Sequence, residues 1–279
     1  MSAMPAEYND DLRLAHVLAD QVDALTMAKF KSMDFTVETK PDLTPVTDAD
    51  KDAEDLIRAL LGRHRSRDSV LGEEGGTTGH GPRKWVIDPI DGTKNFVRGV
   101  PVWATLIALM DGDDIVMGVV SAPALGKRWW AAKGSGAWTG KSLSAASRIS
   151  VSSVATLADA SLSYASLGGW GERGQFEPFI TLMLRCWRSR AYGDFWSYML
   201  LAEGAVDIAA EPELSLWDFA ALVPIVTEAG GRFTGIGGGS PLTELNAVAT
   251  NGHLHDEVIE ALKIADEPDA HEEKRGGYL

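Results

Sequence analysis

The spacing of apolar residues in the first half of the chain predicts two helices followed by a mainly antiparallel sheet. Apolar side chains recur at helical spacing over residues 11–33, which predicts a long amphipathic helix. Thr47 and Asp50 have the spacing of a capping box, which predicts a second helix that runs to Leu61. Apolar or alternating runs then predict strands over residues 35–38, 69–74, 85–87, 104–110, 115–122, 127–132 and 136–138. The strands 104–110 and 115–122 are expected to form a hairpin.

The pattern in the second half predicts alternating strands and helices. The strands cover residues 160–164, 206–210, 231–234 and 247–250, and the helices cover residues 176–187, 193–204, 215–229 and 255–264. Gly230 is the expected stop of the third of these helices, and Pro224 should kink it because proline removes a backbone donor. A Ser-, Ala- and Arg-rich stretch at 143–153 marks the expected boundary between the two halves.

An apolar strand that runs into two carboxylates is the main chemical feature of the sequence. Trp85, Val86 and Ile87 predict a buried strand, and Asp88 and Asp91 follow it. Two carboxylates in that position repel each other and lose hydration, so either one of them binds a proton or a cation holds both. Hard oxygen ligands favour Mg²⁺. The sequence therefore predicts a metal-dependent phosphoryl-transfer site.

Two further acids are candidates for the same site. Glu73 lies at the end of the preceding predicted strand, so it converges on Asp88 if the two strands are neighbours; otherwise it lies in a solvated loop. Gly92 and Thr93 can open a helix whose free N–H groups accept a phosphate. Asp218 is either a metal ligand or the N-cap of a helix, a common role for aspartate.

The composition restricts the partners and the compartment. The chain has 279 residues and a net charge of −14, which argues against a nucleic-acid partner. A phosphorylated substrate would be repelled as well, unless bound cations reverse the local field. The single cysteine, Cys186, excludes an intrachain disulfide. With no apolar run of about 18 residues and no recognisable signal peptide, we expect a cytoplasmic protein that does not bind membranes.

These features together predict the organisation of the chain. We expect an N-terminal tail at 1–9, a metal-binding α+β half at 10–145, a C-terminal α/β half at 146–266 that completes the active site, and a disordered tail at 267–279.

Three sequence blocks resemble those of the inositol monophosphatase-like phosphatases. They are Gly72-Glu73-Glu74, the segment 85–96 with its Asp-Pro-Ile-Asp-Gly-Thr core, and the segment 217–231 that begins Trp-Asp. The blocks occur in the family's order and span most of the chain. The resemblance implies an α+β fold with alternating α/β/α/β/α layers and a homodimer. It also implies Mg²⁺-dependent, Li⁺-sensitive hydrolysis of phosphomonoesters, with two or three Mg²⁺ ions in each active site.

The resemblance also implies roles for individual residues. The metal ligands would be Glu73, Asp88, the Ile90 carbonyl, Asp91 and Asp218. Glu73 and Thr93 would orient and deprotonate a metal-bound water, and Asp48 would help to hold a third metal ion. The water would then displace the leaving group in line at phosphorus, without a covalent phosphoenzyme.

Lys94 and the segment 190–195 depart from the pattern of the inositol enzymes. Together with the segments 95–103, 121–124 and 210–213, they resemble the histidinol-phosphate phosphatases of the same superfamily. Asp194 and Glu211 would suit a substrate that carries an ammonium and an imidazole, and Arg190 resembles a substrate-binding arginine. The alternatives are a helix N-cap for Asp194 and a surface ion pair for Arg190. The full set of substrate-binding residues implied in this way is Asp91, Gly92, Thr93, Lys94, Arg190, Asp194, Glu211 and Asp218.

The expected function is therefore the hydrolysis of histidinol phosphate in histidine biosynthesis. One alternative is an inositol-1-monophosphatase or another sugar-phosphate phosphatase of the same superfamily. A second alternative is a regulatory or binding protein that keeps the fold without catalysis. The intact set of acids argues against that second alternative, because a non-catalytic protein has no reason to keep several mutually repelling carboxylates.

Overall fold

The computed structural model describes residues 6–41 and 43–263, and the elements below refer to that part of the chain. The helices are α1 (Asn9–Ser32), α2 (Asp48–His64), α3 (Thr93–Val97), α4 (Gly168–Glu172), α5 (Phe176–Arg185), α6 (Asp194–Ala202), α7 (Leu216–Phe219), α8 (Leu222–Glu228), α9 (Pro241–Glu244) and α10 (His255–Leu262). The strands are β1 (Val37–Thr39), β2 (Pro45–Thr47), β3 (Ser69–Gly72), β4 (Gly76–Thr78), β5 (Arg83–Asp91), β6 (Ala104–Asp111), β7 (Asp114–Ala122), β8 (Lys127–Ala132), β9 (Ala137–Ser142), β10 (Ala145–Ile149), β11 (Ser161–Ser163), β12 (Arg188–Arg190), β13 (Ile208–Glu211), β14 (Arg232–Thr234) and β15 (Ala247–Thr250).

The larger sheet has eight strands in the order β10-β9-β8-β7-β6-β5-β3-β4. Its neighbours are antiparallel except for β3 and β5, which run parallel. The carboxyl ends of parallel neighbours meet at the same edge of a sheet. Glu73, which follows β3, therefore lies beside β5, and its backbone N–H donates to the Ile87 carbonyl at 3.2 Å.

The smaller sheet has five strands in the order β12-β11-β13-β15-β14. Strand β11 is parallel to both β12 and β13, and the remaining pairs are antiparallel. Glu211 is the last residue of β13, so the carboxyl end of this strand carries an acid.

The two sheets and their helices form five layers. Because successive side chains of β5 point to opposite faces, Trp85 and Ile87 pack against α1 and α2, whereas Val86 faces α6 and α8. The other side of α6 and α8 covers one face of the smaller sheet, and α4, α5 and α10 cover its second face. This arrangement confirms the α+β fold with α/β/α/β/α layers.

The capping signals are confirmed for α2, but the predicted helix at 215–229 is wrong in detail. Thr47 accepts hydrogen bonds from the first turn of α2, and Asp50 accepts one from the Thr47 N–H, as in a capping box. The segment 215–229 contains two helices, α7 and α8, separated at Ala220 and Ala221. Pro224 then lies in the first turn of α8, where a missing N–H removes no helical hydrogen bond, so it does not kink a continuous helix.

Several predicted boundaries differ from the structure. Strand β10 pairs with β9 and extends the larger sheet to Ile149, past the predicted boundary at 145/146. Helix α1 begins at Asn9, after a 3-10 turn at Ala6–Tyr8, so part of the predicted N-terminal tail is structured. The predicted tail at 267–279 lies outside the described residues. No helix in the described ranges has both the length and the apolar character that a membrane span requires.

Candidate active site

A cavity of about 620 Å³ opens at the carboxyl end of β5. Residues from both halves of the chain line it, including most of the residues singled out from the sequence. These are Glu73, Asp88, Ile90, Asp91, Gly92, Thr93, Lys94, Asp194, Glu211 and Asp218. Asp48 and Arg190, although both are described, are not among the lining residues.

The end of β5 is irregular, and this irregularity directs two acids to the cavity. Residues three apart point to opposite faces of a regular strand. The register of β5 against β6 shifts between Asp88 and Asp91, as in a β-bulge, so that both side chains reach the cavity. Gly92, where the chain turns into α3, has a positive φ of 86°. A Cβ added at this position would lie 3.0 Å from the Val102 carbonyl oxygen. Both the backbone conformation and the lack of space therefore require glycine.

Three aspartates form the acidic centre of the cavity. Asp88, Asp91 and Asp218 each place one carboxylate oxygen within 4.8 Å of the others. Asp88 is 2% exposed, and its Oδ1 atom has no hydrogen-bond partner among the described residues. Burial, and then the charge of neighbouring acids, raises the pKa of Asp88 and of Asp91 well above the usual range. Burial raises the pKa of Asp218 to about 7.

These observations fit a divalent cation. Buried carboxylates that repel one another and keep an unpartnered oxygen are costly unless a cation compensates them. Carboxylate oxygens are also the ligands that Mg²⁺ prefers. The donor set that is present therefore suits Mg²⁺, as the sequence indicated.

Glu73 adjoins this centre and is paired with a lysine. Lys40, in the turn between β1 and β2, donates through Nζ to Glu73 Oε1 at 2.6 Å and to Glu74 Oε1 at 2.6 Å. A cation thus already lies against Glu73, and it comes from a separate hairpin. A metal ion that binds Glu73 must compete with this lysine.

Glu54 fixes the turn that carries Glu73, and sequence reasoning did not identify it. The buried Glu54 carboxylate accepts hydrogen bonds from the backbone N–H groups of Glu74 and Gly75, both at 2.8 Å. A Cβ at Gly72 would lie 2.3 Å from this carboxylate, so the turn packs directly on it. Because Glu54 belongs to no recognisable motif and acts across a long sequence separation, only the structure reveals its role.

Asp50 is a second residue that sequence reasoning missed. Its Oδ1 atom lies 3.2 Å from Thr93 Oγ1, which is also 2.9 Å from the Ile90 carbonyl oxygen. Asp48 instead pairs with Lys29 at 2.9 Å, away from the cavity. Residues two apart on a helix point about 200° apart, so only one of these aspartates can face Thr93. The capping-box pattern did locate Asp50, but only as a capping residue.

Asp194 lies beside the turn at the end of β5, since its Oδ2 atom would be 3.2 Å from a Cβ at Gly92. It is the first residue of α6 and has a positive φ of 47°, which is uncommon for a residue other than glycine. The N-cap of α6 is Gly193, and Asp194 Oδ2 accepts instead from Asn95 Nδ2 at 3.3 Å. The next N–H, that of Phe195, donates to Asp91 Oδ2 at 2.8 Å. The structure therefore places Asp194 beside the acidic centre and gives it no N-cap role.

Glu211, the last residue of β13, is another acid that lines the cavity. It is 7% exposed and accepts a hydrogen bond from the Ala165 N–H at 2.5 Å. Burial raises its pKa to about 8, although that hydrogen bond acts in the opposite direction. Arg190 lies on the edge strand β12, is exposed, and donates through Nη1 to the Ser189 carbonyl at 2.7 Å.

The chain is similar to known proteins over most of its length. Residues 9–267 match the inositol monophosphatase family. The chain is 63% identical over 257 residues to a histidinol-phosphatase from Streptomyces coelicolor, covering 91% of this chain and 97% of that protein. It is 58% identical over 255 residues to a histidinol-phosphatase from Mycobacterium tuberculosis, covering 91% and 98%. An inositol monophosphatase from Zymomonas mobilis superposes with a TM-score of 0.82 at 32% identity, covering 93% of this chain and 100% of that one. The chain therefore belongs to the inositol monophosphatase family.

Proposed function

We propose that the chain is a Mg²⁺-dependent phosphatase that hydrolyses histidinol phosphate. The observation that carries this proposal is the juxtaposition of two acidic groups in one cavity. Asp88, Asp91 and Asp218 form a centre suited to metal and phosphate, and Asp194 and Glu211 line the same cavity. The relatives named histidinol-phosphatases support the choice of substrate.

The acidic centre would hold the metal. Glu73, Asp88, Asp91, Asp218 and the Ile90 carbonyl would bind Mg²⁺, at two or three ions in each site by analogy with two-metal phosphatases. Bound Mg²⁺ supplies positive charge that neutralises the phosphate and makes a water molecule more acidic. A role for Asp48 in holding a third ion stays a prediction, and its ion pair with Lys29 would have to open first.

The start of α3 would bind the phosphate and orient the attacking water. Gly92 and Thr93 line the cavity, and Lys94, which also lines it, adds an exposed positive charge. The Thr93 hydroxyl has a single hydrogen, and Asp50 Oδ1 is one of its two acceptors. With that hydrogen directed to Asp50, the Thr93 oxygen accepts a hydrogen bond from water and aligns it for attack at phosphorus. Glu73 is the second acceptor available to this water.

Asp194 and Glu211 would select the substrate. Asp194 lies next to Asp91, so it is placed to pair with an ammonium group close to the phosphate. Glu211 would pair with the imidazole. Because its pKa is raised, Glu211 binds a proton readily when no cation lies beside it. A positively charged imidazole would instead favour the carboxylate form of Glu211. A role for Arg190 in substrate binding stays a prediction.

The family resemblance further supports a homodimer, and the cytoplasmic location stays a prediction. We propose a dimer on that basis, and sedimentation equilibrium tests it. A mass of one chain at micromolar concentration would contradict the dimer without affecting the catalytic proposal.

Phosphate release from L-histidinol phosphate and from inositol-1-phosphate, measured side by side with Mg²⁺, tests the proposed function. We expect activity that EDTA abolishes and Mg²⁺ restores, with a clear preference for histidinol phosphate. A preference for the inositol ester would favour the inositol monophosphatase alternative. Release from neither ester at any Mg²⁺ concentration would favour the non-catalytic alternative.

A further inference from the structure

A buried tyrosine hydroxyl at the cavity has no hydrogen-bond partner. Tyr198 lies on α6, is 1% exposed and is one of the residues that line the cavity. Its hydroxyl oxygen contacts neither a donor nor an acceptor among the described residues. Buried hydroxyls without a partner are rare in folded proteins because they lose their hydrogen bonds to water on folding. Some group that enters the cavity should therefore complete this hydrogen bond.

The ring of Tyr198 is held in place, so its hydroxyl has a defined position. The ring stacks on Phe233 at a centroid distance of 5.4 Å and an interplanar angle of 24°. The rest of the side chain belongs to the core between the two sheets. Rigid aromatic packing of this kind leaves the hydroxyl little freedom to reach a partner elsewhere.

Tyr198 and Glu211 line the same cavity. Burial, and then the charges of Glu211, Asp91 and Asp218, raises the pKa of Tyr198 well above its usual range. The hydroxyl therefore stays protonated at neutral pH, and Glu211 is the acid that acts on it most strongly.

We propose that the Tyr198 hydroxyl determines specificity by hydrogen-bonding one ring nitrogen of the substrate while Glu211 binds the other. This inference rests on the proposed function, since it requires an imidazole. An imidazole has two nitrogens, and each donates or accepts a hydrogen bond according to its protonation. A carboxylate accepts only, whereas a hydroxyl both donates and accepts, so this pair matches the neutral ring as well as the charged ring.

The substitution Tyr198→Phe isolates this contact because it removes one oxygen and keeps the ring. We expect kcat/KM for histidinol phosphate to fall about tenfold, mainly through KM, as for the loss of one buried hydrogen bond. Hydrolysis of inositol-1-phosphate should be unchanged. The melting temperature of the free protein should stay the same or rise, because the variant no longer buries an unpartnered hydroxyl.

A matched control removes a tyrosine hydroxyl elsewhere. Tyr8 packs with the core on the far face of the larger sheet and does not line the cavity, so Tyr8→Phe should leave both activities unchanged. Equal losses on both esters in Tyr198→Phe, or a lower melting temperature, would show that the hydroxyl is structural and would overturn the proposal. An unchanged ratio of the two activities in Tyr198→Phe would overturn it as well.

The substrate preference of the wild type distinguishes a failure of this proposal from a failure of the proposed function. A wild type that prefers histidinol phosphate, with a Tyr198→Phe variant that keeps the same preference, would overturn the Tyr198 contact alone. A wild type without that preference would overturn the proposed substrate and, with it, the contact.

Discussion

Replacing Asp218 by asparagine should make the metal-free protein more stable and bind Mg²⁺ more weakly. The substitution removes one negative charge from a centre in which three carboxylate oxygens lie within 4.8 Å of one another. It keeps the local fold, since the Ser215 N–H donates to Asp218 Oδ2 at 2.7 Å and an amide oxygen can accept the same hydrogen bond. Charge is therefore the main property that changes.

The size of the effect follows from the pKa of Asp218. Burial raises this pKa from 3.8 to about 7, so the folded protein binds a proton that the unfolded chain has already lost between those pH values. The free energy of unfolding then falls as the pH rises from about 4 to about 7 and levels off above that range. The shift corresponds to at most about 4 kcal/mol. This is an upper bound, because Asp218 is only half-buried and water screens part of the penalty.

Urea denaturation in EDTA at pH 4 and pH 8, with Mg²⁺ calorimetry, measures both effects. At pH 8 Asp218→Asn should be more stable than the wild type, and at pH 4 the difference should nearly vanish. Mg²⁺ should stabilise the wild type by mass action and the variant far less. The exposed hairpin residue Asp113 provides a control, since Asp113→Asn should change neither quantity. Lower stability of Asp218→Asn at pH 8 in EDTA, or unchanged Mg²⁺ affinity, would refute the reasoning.

Three further predictions follow from other contacts. In Asp194→Asn, asparagine tolerates the left-handed backbone conformation, so the substitution removes only the charge. For histidinol phosphate, kcat/KM should fall by about 10- to 100-fold, as expected for the loss of one charge-assisted contact. For a neutral ester, kcat/KM should change little. Equal losses would contradict a role in specificity. Gly72→Ala should lower both the melting temperature and the Mg²⁺ affinity, because the added methyl group would lie 2.3 Å from the Glu54 carboxylate. Gly62→Ala is the control and should lower neither, because a methyl group at that position meets open space. Lys40→Met should tighten Mg²⁺ binding in calorimetry, because Lys40 competes for a metal ligand; weaker binding would show that this lysine supports the site.

The local pattern was sufficient for the elements that carry the metal centre. An apolar run followed by two acids predicted β5 and its carboxylates, and the Thr47 capping box predicted the start of α2. Such signals lie within a few residues of one another, so a single sequence displays them. The break between α7 and α8 was missed because it depends on packing. The break packs closely against β7, because a Cβ added at Gly118 of β7 would lie 2.1 Å from the Ala221 carbonyl oxygen.

Contacts between distant segments explain the rest of what was missed. The choice between Asp48 and Asp50 depends on which face of α2 meets Thr93, and helical spacing alone does not fix that face. Glu54 and Tyr198 carry no motif, and their significance comes from a turn and a cavity built by other parts of the chain. The acids at the end of β5 were therefore predictable, whereas the residues that position and supplement them required the fold.

A metal-dependent phosphatase requires that the acids at the end of β5 bind divalent cations. Anomalous scattering from crystals of the protein soaked in Mn²⁺ tests this claim directly, because the signal locates the metal without reference to activity. We expect difference peaks enclosed by Asp88, Asp91 and Asp218, with a further peak next to Glu73 after Lys40 has moved away, and loss of peak height in Asp218→Asn. Crystals that show no peak at these carboxylates at millimolar Mn²⁺, or that show peaks only elsewhere, would contradict the account.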